Sequence, residues 1–135
     1  YFDEEYIKKF NILLDRCDEV LIEPIKPSLV HGDLWSGNVL CGKNPQSKDD
    51  LKKVGAVLID GACYVGHCEV DIAMSELFGG FESKFYESYK KNGLLQEGYS
   101  KRRDIYNLYH VLNHLNIFGT TYLSAAKTII DKYTN

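Results

Sequence analysis

The sequence predicts a mainly helical α+β fold, with about six helices and a small β-hairpin. Helical periodicity recurs near both ends of the chain, and two short apolar runs bounded by glycine and polar residues lie in the middle. The length of 135 residues fits one domain with a real core.

From Phe2 through Tyr6, Phe10, Leu13, Cys17 and Leu21 the apolar positions recur every three or four residues, so residues 2–22 read as an amphipathic helix, ended by Pro24 and Pro27. The run from Ser28 to Asp33 is too short for a helix and reads as a structured loop leaving a short extended segment. Val39 to Cys41 reads as a strand. The polar stretch from Gly42 to Lys53, with Asn44-Pro45 inside it, reads as an exposed loop. Val54 to Asp60 is an apolar run ending in a carboxylate, the pattern of a strand buried on both faces with one polar residue at its tip. Helices are expected over Val70–Phe78, over Ser83–Lys91 with Ser83 as N-cap, along the stripe Ile105, Leu108, Tyr109, Leu112, Leu115, Phe118, and over Tyr122–Tyr133 with Ile129 and Ile130 inward.

Hydrophobic residues at 44% and charged residues at 26% are ordinary for a globular protein. A net charge of -3 with interspersed signs gives no cationic field for nucleic acid or an anionic membrane, and no apolar run approaches a membrane span. The opening Tyr1-Phe2-Asp3-Glu4-Glu5 does not read as a signal peptide, and residue 1 reads as an arbitrary boundary within a longer polypeptide. Cys17, Cys41, Cys63 and Cys68 have no framework-like spacing, so a reducing, cytoplasmic setting is expected. Cys63, His67 and Cys68 lie close together, but without a second ligand pair they read as packing or surface residues rather than a zinc site.

The chemistry concentrates in His31-Gly32-Asp33-Leu34-Trp35-Ser36-Gly37-Asn38 and, about twenty residues later, Asp60. Phosphoryl transfer asks a protein for a carboxylate that positions and deprotonates the attacking hydroxyl, and for oxygen ligands that hold magnesium on the phosphates. Asp33 fits the first role, with Gly32 allowing tight backbone geometry before it. Asn38 and Asp60 supply a neutral and an anionic oxygen, which suit a hard cation. Singly, each of these residues also reads as a turn or strand-end residue; the order and spacing of all three carry the inference.

This run closely resembles the catalytic loop of the fructosamine kinase family, relatives of aminoglycoside and choline kinases. The stretches Gly66 to Phe81 and Leu108 to Gly119 look like that family's C-terminal helices, so the resemblance covers nearly everything from Leu29 to Tyr133. It implies that residues 1–135 form the C-terminal lobe of a protein-kinase-like fold. It also implies ATP-dependent phosphorylation of the 3-hydroxyl of protein-bound ketosamines (fructosamines or ribulosamines), a deglycation step. Asp33 corresponds to the family's proton acceptor, and Asn38 and Asp60 to its magnesium and nucleotide ligands.

Trp35 reads either as a stacking wall for a substrate sugar or as a core aromatic steadying the loop. His31 reads as a brace. Asp71 reads either as a hydrogen-bond acceptor for the catalytic loop or as an N-cap. His110, Asn113, His114 and Asn116 read as satisfied polar groups or as a substrate-side cluster.

Two departures from the family pattern stand out. Gly61 occupies the position after Asp60 where the family usually has proline, and the chain holds no glycine-rich nucleotide loop, strand lysine or partner glutamate. Half of the ATP site is therefore expected on an N-terminal lobe, without which this chain is expected to be nearly inactive. Two other readings stand beside the leading one: a kinase for another small hydroxyl compound, and a non-catalytic binding module. The segment Leu77 to Phe81 and the segment Leu112 to Asn116 favour the ketosamine reading over another acceptor.

Overall fold

The structure is a computed structural model that describes residues 1–43, 48 and 54–134. The expected Asn44-Pro45 loop lies outside the described residues. These carry six α-helices: α1 (Glu4–Asp15), α2 (Cys17–Val20), α3 (Glu69–Leu77), α4 (Ser83–Lys91), α5 (Tyr99–Phe118) and α6 (Leu123–Thr134). Four strands, β1 (Ser28–Val30), β2 (Val39–Lys43), β3 (Val54–Leu58) and β4 (Tyr64–Gly66), form two separate two-stranded antiparallel sheets. The mainly helical α+β class is as expected. None of the helices is long and apolar enough to cross a membrane. The chain divides into two compact units, one of residues 1–26 with 95–135, the other of residues 27–94.

In the first unit α1 packs on α6, and α6 on α5. Asp3 caps α1 by accepting the Tyr6 N–H at 3.0 Å. The single helix expected over residues 2–22 is instead broken at Arg16, whose ψ of 0° ends α1 before α2 begins. Leu13, Ile105, Leu108, Val111, Leu115, Ala126 and Ile130 are the unit's buried apolar residues. Tyr109 and Phe118, expected on the α5 stripe, are exposed instead. The buried face of α5 runs through Leu108, Val111 and Leu115, the three- and four-residue steps that keep to one side of a helix. Gly119, with φ of +84°, ends the helix where expected.

In the second unit, β1 pairs with β4 (Leu29 opposite Val65) and β2 with β3 (Cys41 opposite Ala56). β3 was expected to be buried on both faces, yet Val54, Val57 and Leu58 are 69%, 51% and 54% exposed. Among the described residues β2 and β3 pair only with each other, in a two-stranded sheet that leaves these side chains exposed. The buried apolar residues of this unit are Val30, Leu34, Ile72, Ala73 and Met74. Ser83 is the first helical residue of α4 rather than its cap; Glu82 occupies the cap position without a side-chain hydrogen bond.

One polar cluster ties α1 to α6. Asp131 accepts from Lys9 Nζ at 2.7 Å and from Tyr6 Oη at 2.9 Å. These bonds, Lys9 first, hold the Asp131 carboxyl below the ordinary aspartate range. A lowered folded-state value stabilises the fold above the unfolded-state value, near pH 4, and that stabilisation is lost as pH falls through the folded value. The melting temperature of the wild-type chain should therefore fall more steeply than that of Asp131→Asn as pH is lowered from about 5 to about 2. Thermal melts followed by circular dichroism check this.

Candidate active site

The site is built in the second unit on the loop that follows β1. Gly32 adopts φ of +81°, and a Cβ there would lie 2.2 Å from the carbonyl oxygen of Ala62, so both conformation and space demand glycine. The preceding two amides are held from below by one carboxylate. Asp71 accepts the His31 N–H at 2.7 Å on Oδ2 and the Gly32 N–H at 2.9 Å on Oδ1. Asp71 is buried in the first turn of α3, so it is a loop clamp and not an N-cap. Hydrogen bonds to a charged acceptor with little water around it are each worth about 1.5–3 kcal/mol.

His31 is engaged at both ring nitrogens. Nε2 lies 2.9 Å from the Ile59 carbonyl oxygen, which makes it the donor, and Nδ1 is left to accept the Asp33 N–H at 3.4 Å. The ring thus braces the loop against the residue that precedes Asp60, as expected of it.

Asp33 and Asn38 are in direct contact. Asn38 Nδ2 donates to the Asp33 carbonyl at 2.9 Å and to Asp33 Oδ2 at 3.0 Å. Asn38 is buried at the end of a 3-10 turn over Ser36–Asn38, with its own N–H on the Trp35 carbonyl at 3.0 Å. With the amide NH2 committed to Asp33, Oδ1 is the atom of the Asn38 side chain that remains as an acceptor. Asp60 is tied in through the backbone: the Ile59 N–H donates to the Asn38 carbonyl at 3.0 Å, continuing the β2–β3 ladder to the residue before it.

Asp60 is exposed and has φ of +53°, a left-handed backbone that no other non-glycine residue adopts among the described residues. Strained conformations of this kind concentrate where a side chain must be aimed. Asn38 Oδ1 and the Asp60 carboxylate are both hard oxygen donors, the ligand chemistry that suits magnesium.

A Cβ at Gly61 would lie 2.8 Å from Sγ of the exposed Cys63, which a rotation of that side chain could relieve.

Trp35 is 36% exposed. Its ring covers Gly37, where a Cβ would come within 2.2 Å of the indole, and meets Phe78 edge-on with centroids 6.4 Å apart. The indole is therefore fixed on one side and open on the other. A cleft of about 630 Å³ runs behind Asp60, lined also by His31, Asp71, Phe81, Phe85 and Tyr89. Asp33 and Asn38 are not in its lining. Burial pushes the Tyr89 phenol up from its ordinary value, and the Asp71 charge adds to the effect.

The remaining candidates have local partners of their own. His67 Nδ1 accepts the Glu69 N–H at 3.2 Å, and Cys68 Sγ donates to the Leu94 carbonyl at 2.9 Å. Burial raises the Cys68 thiol above its ordinary value, opposite to what a reactive thiolate needs. No group of three His, Cys, Asp or Glu among the described residues is arranged to hold a metal. On α5, His110 is buried and His114 bonds the His110 carbonyl at 2.8 Å while packing on Phe118 and Tyr122; Asn113 and Asn116 are exposed. Sequence reasoning missed Ser75, Tyr86 and the aromatic residues of α4; the four-residue step from Asp71 to Ser75 is the one signal that pointed to the first.

Comparison with known proteins agrees with the geometry. A sequence model described as fructosamine kinase matches residues 4–135. A Vibrio parahaemolyticus protein named as a ketoamine kinase is 50% identical over 107 residues, which are 79% of this chain and 34% of that protein. The chloroplastic protein-ribulosamine 3-kinase of Arabidopsis thaliana is 50% identical over 109 residues, 81% of this chain and 30% of that one. The chain thus spans about a third of the length of the curated relatives it matches. A crystal structure named for a fructosamine-3-kinase of Thermobifida fusca superposes with a TM-score of 0.79 at 32% identity, over 96% of this chain and 42% of that one.

Gly32→Ala puts a side chain into the Ala62 carbonyl and into a left-handed conformation, and should lower the unfolding free energy by about 3 kcal/mol. Urea denaturation of the two chains checks it.

Proposed function

The chain belongs to the fructosamine kinase family, and from that premise we propose that it is the C-terminal lobe of an ATP-dependent ketosamine 3-kinase. The substrates are fructosamines or ribulosamines on protein lysines, and the reaction is the first step of their removal. The names borne by the Vibrio and Arabidopsis relatives support this acceptor class.

The observation that carries the reading is the Asn38 amide on Asp33 Oδ2. It fixes one carboxylate oxygen and leaves the other to take the proton of the sugar 3-hydroxyl. The hydroxyl oxygen then bonds to the γ-phosphorus of ATP as the bond to the β,γ-bridging oxygen breaks, giving the 3-phosphate and ADP, with the proton on Asp33. Asn38 Oδ1 and the Asp60 carboxylate would hold magnesium, which supplies charge neutralisation on the phosphates. Trp35 offers its open side as a wall for the acceptor.

An N-terminal lobe supplies the rest of the nucleotide site. The exposed apolar side chains of Leu40, Val54, Val57 and Leu58 support a further layer against the hairpin. Alone, the lobe is expected to be nearly inactive. The four free thiols accord with a cytoplasmic setting.

In the complete protein, phosphate transfer from labelled ATP should appear on ketosamines and not on aminoglycosides or choline. Asp33→Asn should lower turnover at least about a hundredfold with nucleotide affinity largely intact. Asp60→Asn should instead weaken binding of the magnesium nucleotide. Turnover of Asp33→Asn within a few-fold of wild type would refute the role given to that carboxylate.

A further inference from the structure

Helix α3 carries a second polar residue one turn beyond the clamp. Ser75 lies four residues after Asp71, on the same side of the helix, and is buried. Its Oγ donates to the Ile72 carbonyl at 2.8 Å and shares a hydrogen bond of 3.3 Å with the hydroxyl of Tyr86 on α4. That same hydroxyl accepts the Phe81 N–H at 2.9 Å.

The segment so pinned is unusual. Gly79 and Gly80 have φ of +98° and +72° in succession, so the chain reverses through two left-handed residues that a side chain would disfavour. The Gly80 Cβ position lies only 3.2 Å from Tyr86 Oη, so the turn rests directly on the hydroxyl. On one side of the turn Phe78 meets the Trp35 ring; on the other Phe81 stacks on Phe85 at 4.7 Å, and both line the cleft that holds Asp60.

We propose that Tyr86 is a positioning residue for the acceptor: its hydroxyl latches the Gly79–Phe81 turn to α3 and thereby sets Phe78, and through it Trp35. The inference rests on the ketosamine-kinase reading for its functional consequence, but not for the latch itself. One helix then registers both sides of the reaction, with Asp71 holding the loop of the proton acceptor and Ser75 holding the turn behind the wall of the substrate site. Phe81 reaches the cleft that Asp60 lines, but the hydrogen bonds of the latch join only α3, α4 and the turn and involve neither Asn38 nor Asp60.

Tyr86→Phe removes the hydroxyl and keeps the ring that packs on Phe85 at 5.2 Å. In the complete kinase it should raise the ketosamine KM about five- to tenfold, with kcat and the ATP KM within about twofold of wild type. In the 135-residue chain, whose one tryptophan is Trp35, the same change should shift the tryptophan emission to the red as Phe78 loosens. Ser75→Ala, which breaks the other end of the latch, should move both readouts in the same direction by less, and it decides the matter if Tyr86→Phe does not fold. Unchanged ketosamine KM together with unchanged emission would overturn the proposal. So would an effect confined to the ATP KM. A wild-type kinase that phosphorylates no ketosamine would instead overturn the functional reading, with the emission of the variants still testing the latch.

Discussion

The site depends on one buried carboxylate. Asp71 takes two successive loop amides on its two oxygens, and the second of them belongs to Gly32, the left-handed residue immediately before Asp33. A buried charge is costly unless its lone pairs are met, so burial of Asp71 and the conformation of the loop stabilise each other. Neither the amides nor the carboxylate has an equally good arrangement without the other. From this pair the rest follows outward: His31 is placed to brace Ile59, Asn38 is placed to hold Asp33, and the Ile59 amide on the Asn38 carbonyl brings Asp60 to the same end of the hairpin.

Two kinds of control act on the candidate carboxylates. Asp33 is oriented by a side chain within its own loop, over a separation of five residues, which engages one of its two oxygens. Asp60 has a sparsely populated backbone conformation, and the residue before it is fixed at both its amide, by the Asn38 carbonyl, and its carbonyl, by the His31 ring. The first arrangement fixes a side chain through a neighbouring side chain; the second fixes it through the backbone that carries it.

Much of this was legible in the sequence because the functional residues are contiguous. Asp33, Asn38 and their glycine stand within one short motif, and Asp60 follows the one long apolar run, so their order and the chemistry they share could be read directly. The helices α3 to α6 announced themselves by periodicity and by Gly119. The pairing of β1 with β4 could not be read, because three residues give too little alternation to mark a strand. The break at Arg16 interrupts an apolar pattern that continues across it. Exposure of β3 was hidden for a different reason: an apolar run of this length carries no mark of whether a second layer covers it, and among the described residues the hairpin is a sheet of two strands only. Tyr86 was illegible because its role lies in a hydroxyl on an amphipathic helix, where the ring alone explains its presence.

The most direct test of the clamp is amide hydrogen exchange at His31 and Gly32, measured by NMR in the wild-type chain and in Asp71→Asn. The expected result is slow exchange of both amides, comparable to the core amides of α3, and joint loss of that protection in the variant while α3 itself stays protected. Fast, loop-like exchange of these two amides in the wild-type chain would contradict it.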